Sequence, residues 1–208
     1  MISKEQIEYN KQKLLEIVDT IDRPGIRELR HMLLSTDFFY APASSIYHAS
    51  YEGGLCEHCL ETYFELKRLI DNHREYQYEE DTLKVVGLFH DISKINLYKK
   101  DIRNKKVYHD NGTKSDNLGR FDWISEEIYK VDKDNKLVYG NHEQTSEFLL
   151  RLYVPLTQEE SVAVLHHHGG LGWDSVKIDI SEIYNKYPLA MFLHIADMLS
   201  TYTVSTYE

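Results

Sequence analysis

Five stretches of this sequence put a histidine or an aspartate where an otherwise apolar helix would bury it. They are His58 in GGLCEHCLE, the adjacent His90 and Asp91 in GLFHDISK, His142 in GNHEQTSEFLL, the run His166, His167 and His168, and Asp197 in LHIADML. A carboxylate inside an apolar helix is costly unless a charge or a metal ion compensates it. Imidazole nitrogen mixed with carboxylate oxygen suits Mn, Fe, Zn, Co or Ni, whereas an all-oxygen set suits Ca or Mg. A single such histidine is more often a core residue hydrogen-bonded to a carbonyl. Five placements on separate elements point instead to helices converging on one metal centre.

Those residues need helices to carry them. Ile7, Leu14, Leu15 and Val18 fall at helical spacing in SKEQIEYNKQKLLEIVDT, with Ser3 as N-cap, and a second helix runs through GIRELRHMLLS after Pro24. LCEHCLETYFELKRLI reads as a long helix with Leu55, Cys59, Leu66 and Leu69 facing inward, and DTLKVVGLFHDIS as a shorter, buried one. HEQTSEFLLRLYV, TQEESVAVLHHH with a Thr157/Glu160 capping box, and PLAMFLHIADMLSTYTV after Pro188 complete the helices. Between Ile95 and Asn141 the texture is polar, with Asn-Gly and Asp-Asn turn signals and short segments such as KVYH and KLVY, which predicts an irregular excursion with some β-ribbon. The expected fold is all-α: one domain over 1–208, with N-terminal helices over about 1–40 and an insertion over about 95–141.

Composition narrows the function classes. Thirty-four acidic residues against 24 basic give a net charge of -10, which disfavours a broad non-specific nucleic-acid surface. No run reaches the roughly 18–20 apolar residues a membrane span needs, and the opening MISKEQIEYN is polar where a signal peptide would be apolar. A cytoplasmic protein with its two cysteines as thiols is expected. Cys56 and Cys59 form a CxxC, but a thioredoxin-like motif needs a preceding strand, and a structural zinc site needs a second Cys or His pair close by.

The order His, His-Asp, His, His, Asp resembles the HD superfamily of metal-dependent phosphohydrolases. GGLCEHCLE, HDISK, HHHG and LHIADM are most similar to the HD domains of 3'-5' exoribonucleases and of HD hydrolases from bacterial and phage genomes, over residues of about 40–205. The resemblance implies a helical HD bundle in which His58, His90, Asp91 and Asp197 hold a first metal ion. Asp91 would bridge to a second ion held by His142 and His167. His167 is preferred over its neighbours because the family's ligand here is similar to a histidine two residues before a glycine, in this chain Gly169. His168 is a further ligand or a substrate contact, and His166 a packing position. Two divalent transition-metal ions (Mn, Fe, Ni, Co or Zn) are implied, and at least one if His142 is not a ligand.

Two metals sharing a carboxylate can bring a water's pKa near neutrality, so no nucleophilic Ser or Cys is required. Lys94, three residues after Asp91, can share its face and stabilise charge on a phosphoryl group. From Lys94 to Lys106, six basic residues stand against Asp101 alone, +5 in thirteen residues. Within that run Lys99 and Arg103 are substrate-binding candidates for a phosphate-docking lip, whose affinity would fall with ionic strength; a solvated loop is the alternative. His48, in IYHASYEGGL, is either a proton donor to the leaving group or structural, and Tyr98 and Tyr108 either stack a base or simply pack. His194, three residues before Asp197, suits a role behind the ligands. The expected function is therefore a metal-dependent phosphohydrolase, a phosphomonoesterase or phosphodiesterase acting on a small phosphorylated substrate such as a nucleotide or on a nucleic-acid end. A catalytically silent HD module binding a nucleotide or protein partner is the alternative.

Overall fold

Ser3 opens the first helix, its hydroxyl accepting from the Gln6 amide at 3.2 Å. Helix α1 (Lys4–Val18) then buries Ile7, Leu14, Leu15 and Val18, the stripe its spacing predicts. The computed structural model describes residues 2–137, 139–169 and 179–204. Helix α2 (Ile26–Ser35) follows Pro24, and α3 (Gly54–Asn72) buries Leu55, Cys59 and Leu66 along its length. Helix α4 (Glu80–Phe89) is buried from Leu83 onward and runs into a 3-10 turn, Ile92–Lys94. After the strands come α5 (His142–Arg151), α6 (Gln158–Leu165), α7 (Ile180–Lys186) and α8 (Pro188–Leu199), which passes into a π-helical turn at Ser200–Val204. Thr157 and Glu160 form the capping box read from the sequence, and Asn141 with Gln144 makes a second one at the start of α5.

Helix α3 is central: α1, α4 and α8 pack on it, α6 packs on α8, and α5 on α6. Gly87 makes the α3–α4 contact close, since a Cβ there would lie 2.8 Å from the Tyr63 Cα. Phe38, Phe39, Phe89, Leu55, Leu88 and Leu189 are among the largest fully buried side chains of the common core.

The all-α expectation is overturned. Strands β1 (Tyr98–Tyr108), β2 (Lys114–Asp116) and β3 (Gly119–Val131) form an antiparallel sheet in the order β1-β3-β2, so the protein is mixed α/β. Strand β1 pairs with β3 over its whole length, from Tyr98 opposite Val131 to Tyr108 opposite Phe121. The strands outrun the short KVYH segment, and the described part of KLVY is not strand at all. Most of both faces is exposed, so the apolar alternation that marks a half-buried strand is missing. Cross-strand charge pairs fix the register instead. Arg103 and Lys105 meet Glu126, Lys100 meets Glu127 at 3.0 Å, and Lys130 meets Asp101 at 2.6 Å. Lys106 bonds Asp116 at 2.5 Å and lies over the Phe121 ring, 4.3 Å from its centroid. The +5 run is therefore complemented strand by strand, and 95–141 as a whole carries ten cations against eight carboxylates, +2.

A buried ion pair ties the α1–α2 connection to the core. Arg23 reaches both oxygens of the fully buried Glu160 at 2.6 and 2.9 Å, and Thr82 donates to the same carboxylate at 2.7 Å. Burial works against the Glu160 charge, but Arg23 and Thr82 outweigh it and hold the carboxyl below its usual range. Arg23→Met strands that charge, and we expect a loss of about 3–5 kcal/mol in urea denaturation with metal binding unchanged.

Candidate metal centre

Five elements end at one point. His58 comes from the first turns of α3, His90 and Asp91 from the end of α4, and His142 from the first residue of α5. His167 and His168 follow the last turn of α6, and Asp197 lies in the last turn of α8. Helix α6 stops at Leu165, and the histidine run occupies a turn that closes when the Gly169 amide donates to the His166 carbonyl at 2.8 Å. Gly169 takes φ +65°, the left-handed conformation that glycine adopts without penalty, and a Cβ there would press to 3.3 Å on His194 Nε2 and Tyr184 Oη. His166 is buried by this turn and belongs to none of the possible ligand groups.

Two sets of donors share Asp91. On its Oδ2 side, His58 Nε2 lies 3.5 Å away and His90 Nε2 3.7 Å, while His58 Nε2 is 3.1 Å from Asp197 Oδ1 and 3.3 Å from His90 Nε2. On the Oδ1 side stand His142 Nδ1 at 3.5 Å and His167 Nε2 at 3.6 Å. His142 Nε2 is in turn 3.1 Å from His167 Nε2 and 3.3 Å from His168 Nδ1. Ligand bonds of about 2.0–2.2 Å set donor separations of about 3.3–3.6 Å at a tetrahedral centre and about 2.8–3.1 Å between neighbours at an octahedral one. On the His58 side the spacings fall in and around that range; on the other side His142 presents Nδ1 to Asp91 but Nε2 to His167 and His168, and one of these nitrogens can serve an ion at that point. Asp91 Oδ1 is buried and accepts no hydrogen bond, a costly state for a carboxylate oxygen. These buried His and Asp groups are close enough to hold a metal ion.

The outer ring nitrogens are already committed. His90 Nδ1 donates to the Gly87 carbonyl at 2.9 Å and His167 Nδ1 to the Val164 carbonyl at 2.7 Å, so each presents Nε2 to the centre. His194 Nδ1 bonds the His167 carbonyl at 2.6 Å, holding the turn from behind. Exposure varies within the site: His58, His90 and His167 are fully buried, whereas the His142 and His168 side chains keep 25% and 38% of their surface.

Electrostatics follow from burying this much charge. Desolvation pushes the Asp91 carboxyl up, but Lys94 and the histidines win and hold it well below the usual carboxylate range. Asp197 is held low in the same way, chiefly by His58. For His58, burial opposes the cation, yet the bonds to Asp197 and Asp91 prevail and raise it to about 9 in the metal-free protein. Burial lowers His90 to about 3 and His142 to about 4.

Lys94 Nζ donates to Asp91 Oδ2 at 2.5 Å and is itself buried. The 3-10 turn that follows Asp91 makes this direct, since residues three apart eclipse in that geometry. Burial lowers the Lys94 ammonium, but Asp91 more than restores it, so it stays charged. His48 sits beside His58, ring centroids 4.8 Å apart, with a buried Nε2 that has no hydrogen-bond partner; burial takes its pKa down to about 4. Lys99 and Arg103 stand apart on β1, paired with Asp132 at 2.9 Å and with Glu126.

Sequence reading passed over Glu143. It is buried, and its Oε1 lies 3.2 Å from His168 Nδ1. Burial raises the carboxyl, but His168, the neighbouring histidines and the backbone lower it further, to about 2. The signal was available, because His142-Glu143 repeats the adjacent His-carboxylate pattern of His90-Asp91. Cys56 and Cys59 are buried and burial pushes both thiols up, which makes them inert packing groups.

Comparison with known proteins adds no relative: no family model, no curated protein and no solved structure matches this chain. Among the described residues, no helix is long and apolar enough to cross a membrane.

Proposed function

We propose that this protein is a metal-dependent phosphohydrolase of the HD type, hydrolysing a phosphoester of a nucleotide or of a nucleic-acid end. One observation carries the reading: a single buried carboxylate, Asp91, stands between two sets of imidazoles, and its Oδ1 has no hydrogen bond. His58, His90, Asp91 and Asp197 would hold one divalent transition-metal ion (Mn, Fe, Ni, Co or Zn). Asp91, His142 and His167, with His168 beside them, would hold a second. Bound metal ions supply Lewis-acid stabilisation of the phosphoryl group and a water activated at neutral pH.

The chain's own residues supply the rest. Lys94 spends one of its three N–H donors on Asp91 Oδ2, leaving two for phosphoryl oxygens in a site that excludes much of the water. Glu143 orients His168 by accepting from its Nδ1, which turns Nε2 toward Asp197 Oδ2 at 3.5 Å. His48, neutral at physiological pH, serves as a hydrogen-bonding contact to substrate more readily than as an acid. A phosphate reaching Lys99 or Arg103 must compete with Asp132 and Glu126, so those two act at most as an outer guide.

The test uses full-length protein purified without a histidine tag. About two transition-metal ions per chain are expected, together with Mn- or Ni-dependent turnover of bis-p-nitrophenyl phosphate or p-nitrophenyl phosphate. Which of these esters turns over identifies the protein as a phosphodiesterase or a phosphomonoesterase. No metal uptake after supplementation sinks the reading; uptake without turnover of either ester, or of nucleotides, leaves a binding module.

A further inference from the structure

We infer that Ser200 is a positioning residue that fixes the ring of His58 and thereby sets how tightly the buried donor set holds its ion; the inference rests on the metal-centre reading above. Ser200 is fully buried where α8 gives way to the π-helical turn, a distortion that recurs at functional sites. Its Oγ donates to the Asp197 carbonyl at 3.0 Å and stands 3.1 Å from His58 Nδ1 and 2.9 Å from Thr62 Oγ1. A hydroxyl has one proton. Given to the Asp197 carbonyl, that proton leaves Oγ an acceptor toward His58, so Nδ1 must carry the hydrogen. Nε2 then has its lone pair free on the side where Asp91, Asp197 and His90 converge.

His90 and His167 are oriented with the same polarity, but by the backbone carbonyls of Gly87 and Val164. Of the three fully buried histidines, His58 alone takes its orientation from a side chain. Ser200 also joins two ligands in one contact, since the hydroxyl that fixes His58 is anchored on the carbonyl of Asp197. An aligned imidazole of this kind typically changes metal affinity by about 10–100-fold when its outer partner is removed.

The experiment is calorimetric titration of Mn²⁺ into metal-free wild-type, Ser200→Ala, Ser200→Thr and Thr62→Val proteins. Ser200→Ala is expected to weaken the tighter ion by about 10–100-fold. Ser200→Thr keeps the hydroxyl and restores affinity. Thr62→Val removes a neighbouring hydroxyl but not the one on His58, so it lowers stability and leaves affinity little changed. Should Ser200→Ala fail to fold, histidine-selective ¹⁵N spectra of the Zn²⁺-loaded wild type decide the matter, with a protonated Nδ1 and a metal-bearing Nε2 expected for His58. Wild-type affinity in Ser200→Ala, or coordination of His58 through Nδ1, overturns the inference while leaving the metal centre intact. A wild-type protein that binds no Mn²⁺ or Zn²⁺ overturns the metal-centre reading itself.

Discussion

On the metal-dependent phosphohydrolase reading proposed above, Asp91→Asn is expected to abolish binding of both ions and to lower phosphoesterase kcat/KM by at least about a thousandfold, a loss of about 4 kcal/mol of transition-state stabilisation. The substitution keeps size and shape but replaces the carboxylate proposed to serve both ions with a neutral amide that cannot. It also strands the cations that Asp91 now compensates, namely buried Lys94 at 2.5 Å and His58 at 3.5 Å. Removing one partner of a buried pair costs about 3–5 kcal/mol, so the metal-free variant should also unfold at lower urea. Metal content separates the two effects, because a variant that folds and still carries two ions, or keeps more than about a tenth of wild-type turnover, contradicts a shared carboxylate. Asp197→Asn, whose carboxylate lies 3.1 Å from His58 Nε2, should instead cost chiefly the ion on the His58 side.

The metal-free protein should have a sharp stability maximum near pH 6.5. Burial lowers His48, His90 and His142 from 6.5 to about 4, 3 and 4. Below pH 6.5 the unfolded chain therefore takes up protons that the folded one refuses. Stability present above pH 6.5 is lost as the pH falls toward those folded values, with up to three protons bound on unfolding and a limiting slope of about 4 kcal/mol per pH unit. His58 works on the other side. Its folded value, raised to about 9, gives stability that is full below 6.5 and drains away as the pH rises through 9. Bound metal needs neutral imidazoles, so it should release the His58 proton at pH 7–8 and flatten the alkaline limb. Thermal melts of chelator-treated protein from pH 4 to 10, and calorimetry in buffers of different ionisation enthalpy, measure both. A melting temperature that does not vary between pH 4 and 6.5 without metal would refute the buried neutral histidines.

Most of the helices were legible because each buries one stripe, and burying a stripe imposes the spacing seen at Ile7, Leu14, Leu15 and Val18. The ribbon was not. With both faces in water it has no apolar alternation, and its register is written in pairs such as Arg103–Glu126 that become visible only when the strands lie side by side. The same limit applies to the +5 run, whose carboxylate partners on β3 are about twenty residues away in sequence. Ser200 escaped for a related reason: it has no telling sequence neighbourhood and acquires its role by touching a histidine that a different element delivers, whereas Glu143 did carry a signal in the adjacent His142.

The sequence by itself determined the donor chemistry and its placement on separate elements, since a buried imidazole or carboxylate stands out against an apolar helix whatever the fold. Tertiary structure decided what those donors do together. Gly87 lets α4 lie close against α3, so that His58 and His90 meet at 3.3 Å, and the turn after α6 swings His167 to the free oxygen of Asp91. The physical reason is range. Helix propensity and burial are read within a few residues, whereas the convergence of five chain segments on one carboxylate depends on packing between residues as far apart as His58 and Asp197.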